Sequence, residues 1–218
     1  MGGLATMGRL ATVLLGLAVA TGAQASVACE STARESVARA TGQRAAHEPP
    51  LPLIAREPSV GRRIAREASR FVGADSLAIA RDDCSGFVEL VYRRAHVPLA
   101  GSSQELRRIA ARRHALRFHR ARPGDLVFFR DTIEGRRGIT HVGIVDSIAP
   151  DGASTFVHRS GTGVVRSRLD LRRPHTARDA RGRLRNDILR RAGRGARARL
   201  SGELFAGFAS ADRLARAR

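Results

Sequence analysis

The spacing of apolar residues changes about half-way along the chain, and this change is the strongest constraint on the fold. Up to about residue 110, apolar side chains recur every three or four residues, which predicts amphipathic helices over 61–71, over 84–95 and from Ser102 onward. After Pro123, short β-type runs predict strands over 126–129, 139–148, 154–158 and 164–169. Helices that precede strands in this way favour an α+β fold, with N-terminal helices packed on an antiparallel β-sheet.

The ends of these helices carry recognisable capping residues. Asp83 is the predicted N-cap of the second helix, and Pro98 follows its end. Ser102 and Glu105 form a capping-box pattern at the start of the third helix. Gly73 is expected to end the first helix.

The first 25 residues have the features of a secretory signal peptide. Arg9 precedes an apolar run over 10–20, and Ala23-Gln24-Ala25 provides an A-x-A cleavage site. The run is too short to anchor the chain in a bilayer. We therefore expect cleavage after Ala25, export to the periplasm or the extracellular space, and a mature chain without a transmembrane segment.

The rest of the chain divides into a lead-in and one folded unit. Residues 26–60 end in a cluster of prolines and are expected to be a poorly ordered lead-in. The folded unit is predicted over 61–212, with an Arg-rich C-terminal extension from about residue 170, and a monomer is the expected state. No cofactor is expected.

Cys29 has two further interpretations. The segment Ser26-Val27-Ala28-Cys29 is similar to a lipobox, so Cys29 could carry a lipid anchor, although Ser26 occupies a position that usually holds a large aliphatic residue. Alternatively, Cys29 could form a disulfide with Cys84, since the chain has two cysteines and export would expose them to oxidation.

The charge of the chain is strongly positive and comes entirely from arginine. The 39 basic residues include no Lys, and with 20 acidic residues they give a formal net charge of +19. Nucleic acid is not the expected partner, because the chain has no Trp and a single Tyr for base stacking. Acidic envelope polymers are a possible partner, through an attraction that salt would screen. From Arg159 onward, 17 Arg and 5 acidic residues give a net charge of +12, which indicates either electrostatic attachment or an ordinary solvated surface.

Cys84 is the candidate nucleophile. It lies in the first turn of the second predicted helix, where unpaired backbone N–H groups and the helix dipole favour a thiolate. The expected result is a lowered thiol pKa. Gly86, one turn into the helix, is expected to leave the approach to the sulfur open.

His141 and His158 are the candidate partners of Cys84. In a hairpin with a four-residue loop over 149–152, Ile148 would pair with Ala153 and His158 would lie opposite Gly143. Both imidazoles would then share one face of the sheet as diagonal neighbours. The other histidines are expected to be solvated or outside the fold: His47, His96, His114, His119 and His175.

These three residues fit thiol-dependent acyl transfer. Cys84 would be the nucleophile, His141 the base and His158 the group that orients the base, and the reaction would be amide hydrolysis. One Cys and two His with an open position would also suit a catalytic zinc ion, so a zinc hydrolase is a second interpretation. No metal is included in the preferred interpretation.

Four segments resemble the NlpC/p60 cell-wall peptidases, which are papain-like cysteine enzymes of bacterial envelopes. The segments are DDCSGFVELVYRRAHVPL, PGDLVFF, HVGIV and FVH, which occur in the family's order. The resemblance implies a papain-like fold and peptidoglycan stem peptides as substrate, commonly cleaved between D-γ-glutamyl and diaminopimelate residues. It also implies that Asp83 and Ser85 bind the free amine of the substrate, although both could be simple helix caps.

The chain departs from the family pattern in one notable place. The family usually has a Tyr ahead of the nucleophile that can assist the oxyanion, whereas Phe71-Val72-Gly73 offers no hydroxyl, which leaves the Cys84 N–H as a donor. Three alternatives to the glutamyl endopeptidase stay open. They are hydrolysis of the sugar-to-L-Ala amide, a non-catalytic envelope-binding module, and the zinc hydrolase.

Overall fold

Three helices followed by an antiparallel sheet form the framework of the protein, as the change in periodicity predicts. In the computed structural model, the helices of this framework are α1 (Val60–Ser69), α2 (Cys84–Arg94) and α3 (Ser103–Arg112). The strands are β1 (Leu116–Arg117), β2 (Leu126–Arg130), β3 (Ile139–Ile148), β4 (Ser154–Ser160), β5 (Gly163–Leu169), β6 (Ile188–Arg190), β7 (Arg199–Leu200) and β8 (Phe205–Ala209). Two short helices lie near the C-terminus, α4 (Ser201–Leu204) and α5 (Ala211–Arg216).

The structure describes residues 58–193 and 195–216. Several expectations fall outside these residues: the signal peptide (1–25), most of the lead-in (26–60), both interpretations of Cys29, and His47. Within the described part of the chain, no helix is both long enough and apolar enough to cross a bilayer.

The six-stranded sheet has the order β1-β8-β2-β3-β4-β5 and separates two hydrophobic clusters. The larger cluster joins the helices to one face of the sheet and includes Ile64, Phe87, Leu106, Phe128 and Ile144. The smaller cluster lies on the other face and includes Val127, Phe129, Phe156, Leu204 and Phe208. Because full burial of such a side chain contributes about 1.5–3 kcal/mol, the larger cluster is the main stabilising contact of the helices.

The helix starts agree with the sequence prediction, whereas the end of the first helix does not. The Asp83 cap and the Ser102–Glu105 capping box are both present. Helix α1 ends at Ser69, so Phe71 lies in the following turn. Although Phe71 lies outside α1, it fits the apolar spacing of that helix because its ring also packs into the core, edge-on against Phe87, with 6.1 Å between the ring centroids.

The loop of the β3–β4 hairpin is longer than predicted, whereas the register near the histidines is the predicted one. Ile148 pairs with Ser154 and not with Ala153, because the loop includes Ala153, whose carbonyl accepts a hydrogen bond from the Ala149 N–H. A β-bulge between Val145 and Ser147 then shifts the register by one residue, so Ile144 pairs with Val157 as the shorter loop predicts.

The Arg-rich C-terminal segment is an integral part of this fold. Strand β8 lies between β1 and β2 in the sheet, a position that no sequence pattern predicts. The Arg185 side chain is 6% exposed and forms ion pairs with Asp151, Asp170 and Asp179. The segment is therefore only partly a solvated surface.

Candidate active site

Cys84 is the first residue of α2, and Asp83 fixes the backbone around it. Asp83 Oδ1 accepts hydrogen bonds from the Ser85 N–H at 2.9 Å, the Gly86 N–H at 2.7 Å and the Ser85 hydroxyl at 2.7 Å. Ser85 is buried, whereas Asp83 is exposed. The cap thus holds the first turn of α2 in place.

The thiol pKa of Cys84 is raised above its ordinary value, which corrects the expectation of a lowered one. Burial is the main cause, and the negative charge of Asp83 acts in the same direction. The backbone N–H groups of Val142, Ser85 and Cys84 favour the thiolate but do not outweigh burial. The resting group is therefore a neutral thiol. The prediction was wrong because the sequence shows the start of the helix but not the packing around the sulfur.

The two histidines are in direct contact on the sheet face opposite the helices. Nε2 of His141 and Nδ1 of His158 lie 2.9 Å apart, and the ring planes are nearly perpendicular, at 88°. Phe129 packs near His141 and Phe156 near His158, with centroid distances of 6.1 and 5.1 Å. The alternation on β3 and β4 predicts this shared face, and the structure shows the contact.

Ser167 on β5 extends this pair to a chain of three groups. Its hydroxyl oxygen lies 3.0 Å from Nε2 of His158. When Ser167 accepts from His158 Nε2–H, His158 Nδ1 accepts from His141 Nε2–H, and Nδ1 of His141 keeps a free lone pair. Ser167 is not among the residues predicted from the sequence, although the tight β4–β5 turn pairs Phe156 with Ser167 and so places Ser167 diagonal to His158.

Both imidazoles are neutral near physiological pH. Burial lowers the pKa of His141 to about 4, although the charge of Asp83 acts in the opposite direction. Burial also lowers the pKa of His158, with His141 as a second cause. A neutral His141 can accept a proton, which is the requirement for a general base.

The Cys84 thiol lies near the backbone of β3 beside His141, in the part of this strand that no longer pairs with β4. The last pair of this ladder is Ile144–Val157, and the Val142 N–H, one residue beyond His141, faces the Cys84 sulfur. The charge of Asp83 acts on both Cys84 and His141. No hydrogen bond joins the sulfur to either imidazole within the described residues, and such bonds are often long until substrate binds.

Two glycines allow close packing at this point. A Cβ at Gly143 would lie 3.2 Å from His158 Cβ and 2.9 Å from the Phe156 ring, so the missing side chain leaves room for the imidazole. A Cβ at Gly86 would lie 1.8 Å from the Arg81 carbonyl oxygen. Gly86 is therefore required by the crossing backbone, and not by access to the sulfur.

An ion pair connects the loop before Cys84 to the strand that carries His158. The Arg159 guanidinium donates to both carboxylate oxygens of Asp82, at 2.7 and 3.0 Å. This bidentate contact lowers the pKa of Asp82. Because Arg159 follows His158 and Asp82 lies two residues before Cys84, the pair restrains the nucleophile and the imidazoles relative to each other.

A cleft of about 570 Å³ opens beside the imidazoles. Its walls include His141, His158, Arg159 and Ser167, together with residues of β6. We call it the histidine cleft. No residue of α2 lines it, and neither does Asp83. Its volume is in the range of ligand-binding pockets.

The remaining sequence-predicted residues lie away from this site. His96, His114, His119 and His175 are exposed, as expected. Phe71 contacts Phe87 and the Arg94 guanidinium, which lies 4.9 Å from its ring centroid, so Phe71 packs along α2. Across the described residues, no group of three or more His, Cys, Asp or Glu side chains is arranged to hold a metal ion.

Comparison with known families gives one match, over more than half of the chain. The profile described as "NlpC/P60 family" matches residues 70–181. This range contains all five sequence-predicted site residues and Ser167. No curated protein matches the chain significantly.

Several solved structures are also similar to this chain. NlpC2 from Trichomonas vaginalis is 23% identical over 49% of this chain and 40% of its own, with a TM-score of 0.40. A lipoprotein-like NLP/P60 protein from Staphylococcus aureus is 25% identical over 48% of this chain and 35% of its own, with a TM-score of 0.37. An NlpC/P60 protein from Bacillus cereus is 17% identical over 70% of this chain and 40% of its own, with a TM-score of 0.40. This chain spans 35% to 40% of the length of these structures.

Proposed function

The chain belongs to the NlpC/P60 family, and from this premise we propose that it is an exported cysteine peptidase that hydrolyses an amide bond in the peptide stems of peptidoglycan. The bond between D-γ-glutamyl and diaminopimelate residues is the preferred site, because it is the one that the family commonly cleaves. The observation that carries the proposal is the His141–His158 contact of 2.9 Å beside a thiol at the start of a helix.

In the proposed reaction, Cys84 and His141 act as a neutral pair. The proton of the thiol moves to Nδ1 of His141 while the sulfur attacks the carbonyl carbon of the substrate. His158 and Ser167 hold the His141 ring through Nε2. The Cys84 N–H, which favours negative charge on the sulfur, is the donor that we assign to the oxyanion.

The tetrahedral intermediate then collapses with cleavage of the C–N bond. His141 returns the proton to the leaving amine, which departs and leaves a thioester on Cys84. Water attacks the thioester, with His141 as the base, and releases the carboxylic acid and the thiol. Asp83 and Ser85, at the start of α2, would bind the free amine at the N-terminal end of the peptide stem.

Purified muropeptides and mass spectrometry test this proposal. We expect Cys84→Ala and His141→Ala to lower the cleavage rate by at least about 1,000-fold, because the nucleophile and base act as a unit. His96→Ala is the matched control, since His96 is exposed and away from the site. Retained cleavage in Cys84→Ala would disprove the assignment of the nucleophile.

The same assay separates the alternatives. The product masses distinguish glutamyl endopeptidase from sugar-to-L-Ala amidase activity. Loss of activity with a chelator, together with resistance to thiol alkylation, would favour the zinc hydrolase instead. Binding to cell walls without turnover of any stem peptide would favour the non-catalytic module.

Export is part of the proposal and has a separate test. Expression in a bacterial host should yield a mature chain whose intact mass corresponds to cleavage after Ala25. A mass that includes a lipid on Cys29 would instead support anchoring, and an uncleaved chain would argue against export.

A further inference from the structure

A second pocket, rich in arginine, adjoins the histidine cleft. It has a volume of about 320 Å³ and is lined by Asp131, Ile133, Gly135, Arg136, Arg137, Arg190 and Arg199. We call it the arginine pocket. Ile133 also lines the histidine cleft, so the two spaces share a wall. An extended ligand that starts at His141 can therefore reach both.

Four arginines and one acidic residue, Asp131, line the arginine pocket, so its charge is positive overall. Arg136 and Arg137 are exposed and form no ion pair within the described residues. The Arg190 Nε is buried without a hydrogen-bond partner, while its Nη1 donates to the Asp131 carbonyl at 3.2 Å. Arg199 is the exception, because it pairs with Glu203 at 3.3 Å. Unpaired guanidinium groups favour an anionic ligand, and carboxylates suit their planar geometry.

The loop that carries Arg136 and Arg137 is held in place next to His141. The Asp131 N–H donates to the Gly138 carbonyl, and Asp131 Oδ1 accepts from the Gly138 N–H at 2.9 Å. The Thr132 N–H donates to the hydroxyl of Thr140, the neighbour of His141 in β3, at 2.8 Å. The arginine pocket thus has a fixed position relative to the base.

The position of the pocket indicates which part of the substrate it receives. His141 must lie beside the leaving amine, because it returns the proton to that nitrogen. His141 lines the histidine cleft and no residue of α2 does, whereas the acyl side of the peptide would be held at the start of α2. The leaving side of the peptide is therefore the part that extends toward the arginine pocket.

We propose that the arginine pocket binds a carboxylate on the leaving side of the peptide substrate and so selects stems whose leaving residue carries a free carboxylate over stems in which that group is amidated. This inference rests on the proposed peptidase function. Arg190 and Arg199 lie beyond the residues that match the family profile, so the pocket depends on a segment outside that match.

Two synthetic stem peptides test the inference, one with a free carboxylate on the leaving residue and one with a carboxamide. We expect the wild-type enzyme to favour the carboxylate peptide by about tenfold or more in kcat/KM. In Arg136→Gln/Arg137→Gln, this preference should fall by about tenfold through a higher KM for the carboxylate peptide, with the carboxamide peptide little changed. Equal preference in the wild type and the variant would overturn the inference.

A matched control separates the pocket from the overall charge. Arg62→Gln/Arg66→Gln removes the same charge from exposed residues of α1, on the other face of the sheet, and should keep the preference. A loss of preference in this control would also overturn the inference.

A binding experiment keeps the two proposals distinguishable. If the wild type cleaves neither peptide, the proposed function fails, and calorimetry with the free leaving residue still tests the pocket. The carboxylate form should bind the wild type more tightly than the Arg136→Gln/Arg137→Gln variant, and the carboxamide form should not distinguish them. Binding of inorganic phosphate, but not of the carboxylate, by the wild type would overturn the assignment to a carboxylate.

Discussion

The direction of two hydrogen bonds decides which nitrogen of His141 can accept a proton. Ser167 must accept from His158, and His158 from His141, for Nδ1 of His141 to be unprotonated. The reverse direction would place the proton on Nδ1 and leave no base for the thiol. Ser167 is therefore a positioning residue, which acts through two imidazoles.

Replacement of Ser167 tests this assignment at the level of one hydroxyl. We expect Ser167→Ala to lower kcat about tenfold with a smaller effect on KM, because Ser167 acts mainly through the orientation of the imidazole rings. Nitrogen NMR of the two histidines should show a changed tautomer distribution. Ser154→Ala, a buried serine at the other end of β4, is the control. An unchanged kcat and unchanged spectra would contradict the prediction.

The raised pKa of Cys84 predicts how the thiol reacts with iodoacetamide. Because the resting thiol is neutral, its alkylation rate should be low at pH 6 and should rise with pH beyond 8.5. The Asp83→Asn variant keeps a helix cap but removes a negative charge that raises this pKa, so it should react faster at pH 7. A rate that is already at its maximum at pH 6 would indicate a thiolate–imidazolium pair instead.

At the scale of elements, the start of α2 depends on the close approach of another backbone segment. An added methyl group at Gly86 would overlap the Arg81 carbonyl, whereas one at Gly161 would meet open space. We expect Gly86→Ala to destabilise the fold by about 1–3 kcal/mol, and Gly161→Ala to leave stability nearly unchanged. Urea unfolding measures both. Equal stability of the two variants would show that the Arg81 segment can move without cost.

The strands and helices show which parts of the fold local sequence patterns can predict. Alternation and capping residues predicted four strands, two helix starts and the shared face of His141 and His158. Strand β8 was missed because it pairs with β1 and β2 across a long stretch of chain, and pairing of that kind leaves no local signal. The raised thiol pKa was missed for a related reason, since burial around Cys84 depends on tertiary packing.

At the scale of the whole molecule, buried neutral imidazoles link stability to pH. The pKa values of His141 and His158 are lower in the folded protein than in the unfolded chain. The unfolded chain therefore binds more protons below about pH 6.5, and stability falls as the pH decreases from there toward 4. The pKa of Glu203 is lowered to about 2 by its ion pair with Arg197, so its contribution is lost at still lower pH.

Urea unfolding at two pH values measures this effect. We expect the free energy of unfolding to be about 2 kcal/mol lower at pH 5 than at pH 7 from His141 alone, with His158 adding in the same direction. The His141→Gln variant should lose less stability over this interval. The same loss in the variant and the wild type would contradict the prediction.

The β-bulge at Asp146 allows the length of the β3–β4 loop to change without changing the face of the sheet on which His158 lies. Its carboxylate bonds to Ser69 and Arg166, so the extra residue is anchored on both sides. Losing one residue from the loop, or gaining one, would by itself turn His158 to the wrong face. A compensating loss or gain of one residue at the bulge would return His158 to its original face. Related sequences can therefore differ in loop length, through paired insertions and deletions, while the imidazole keeps its position.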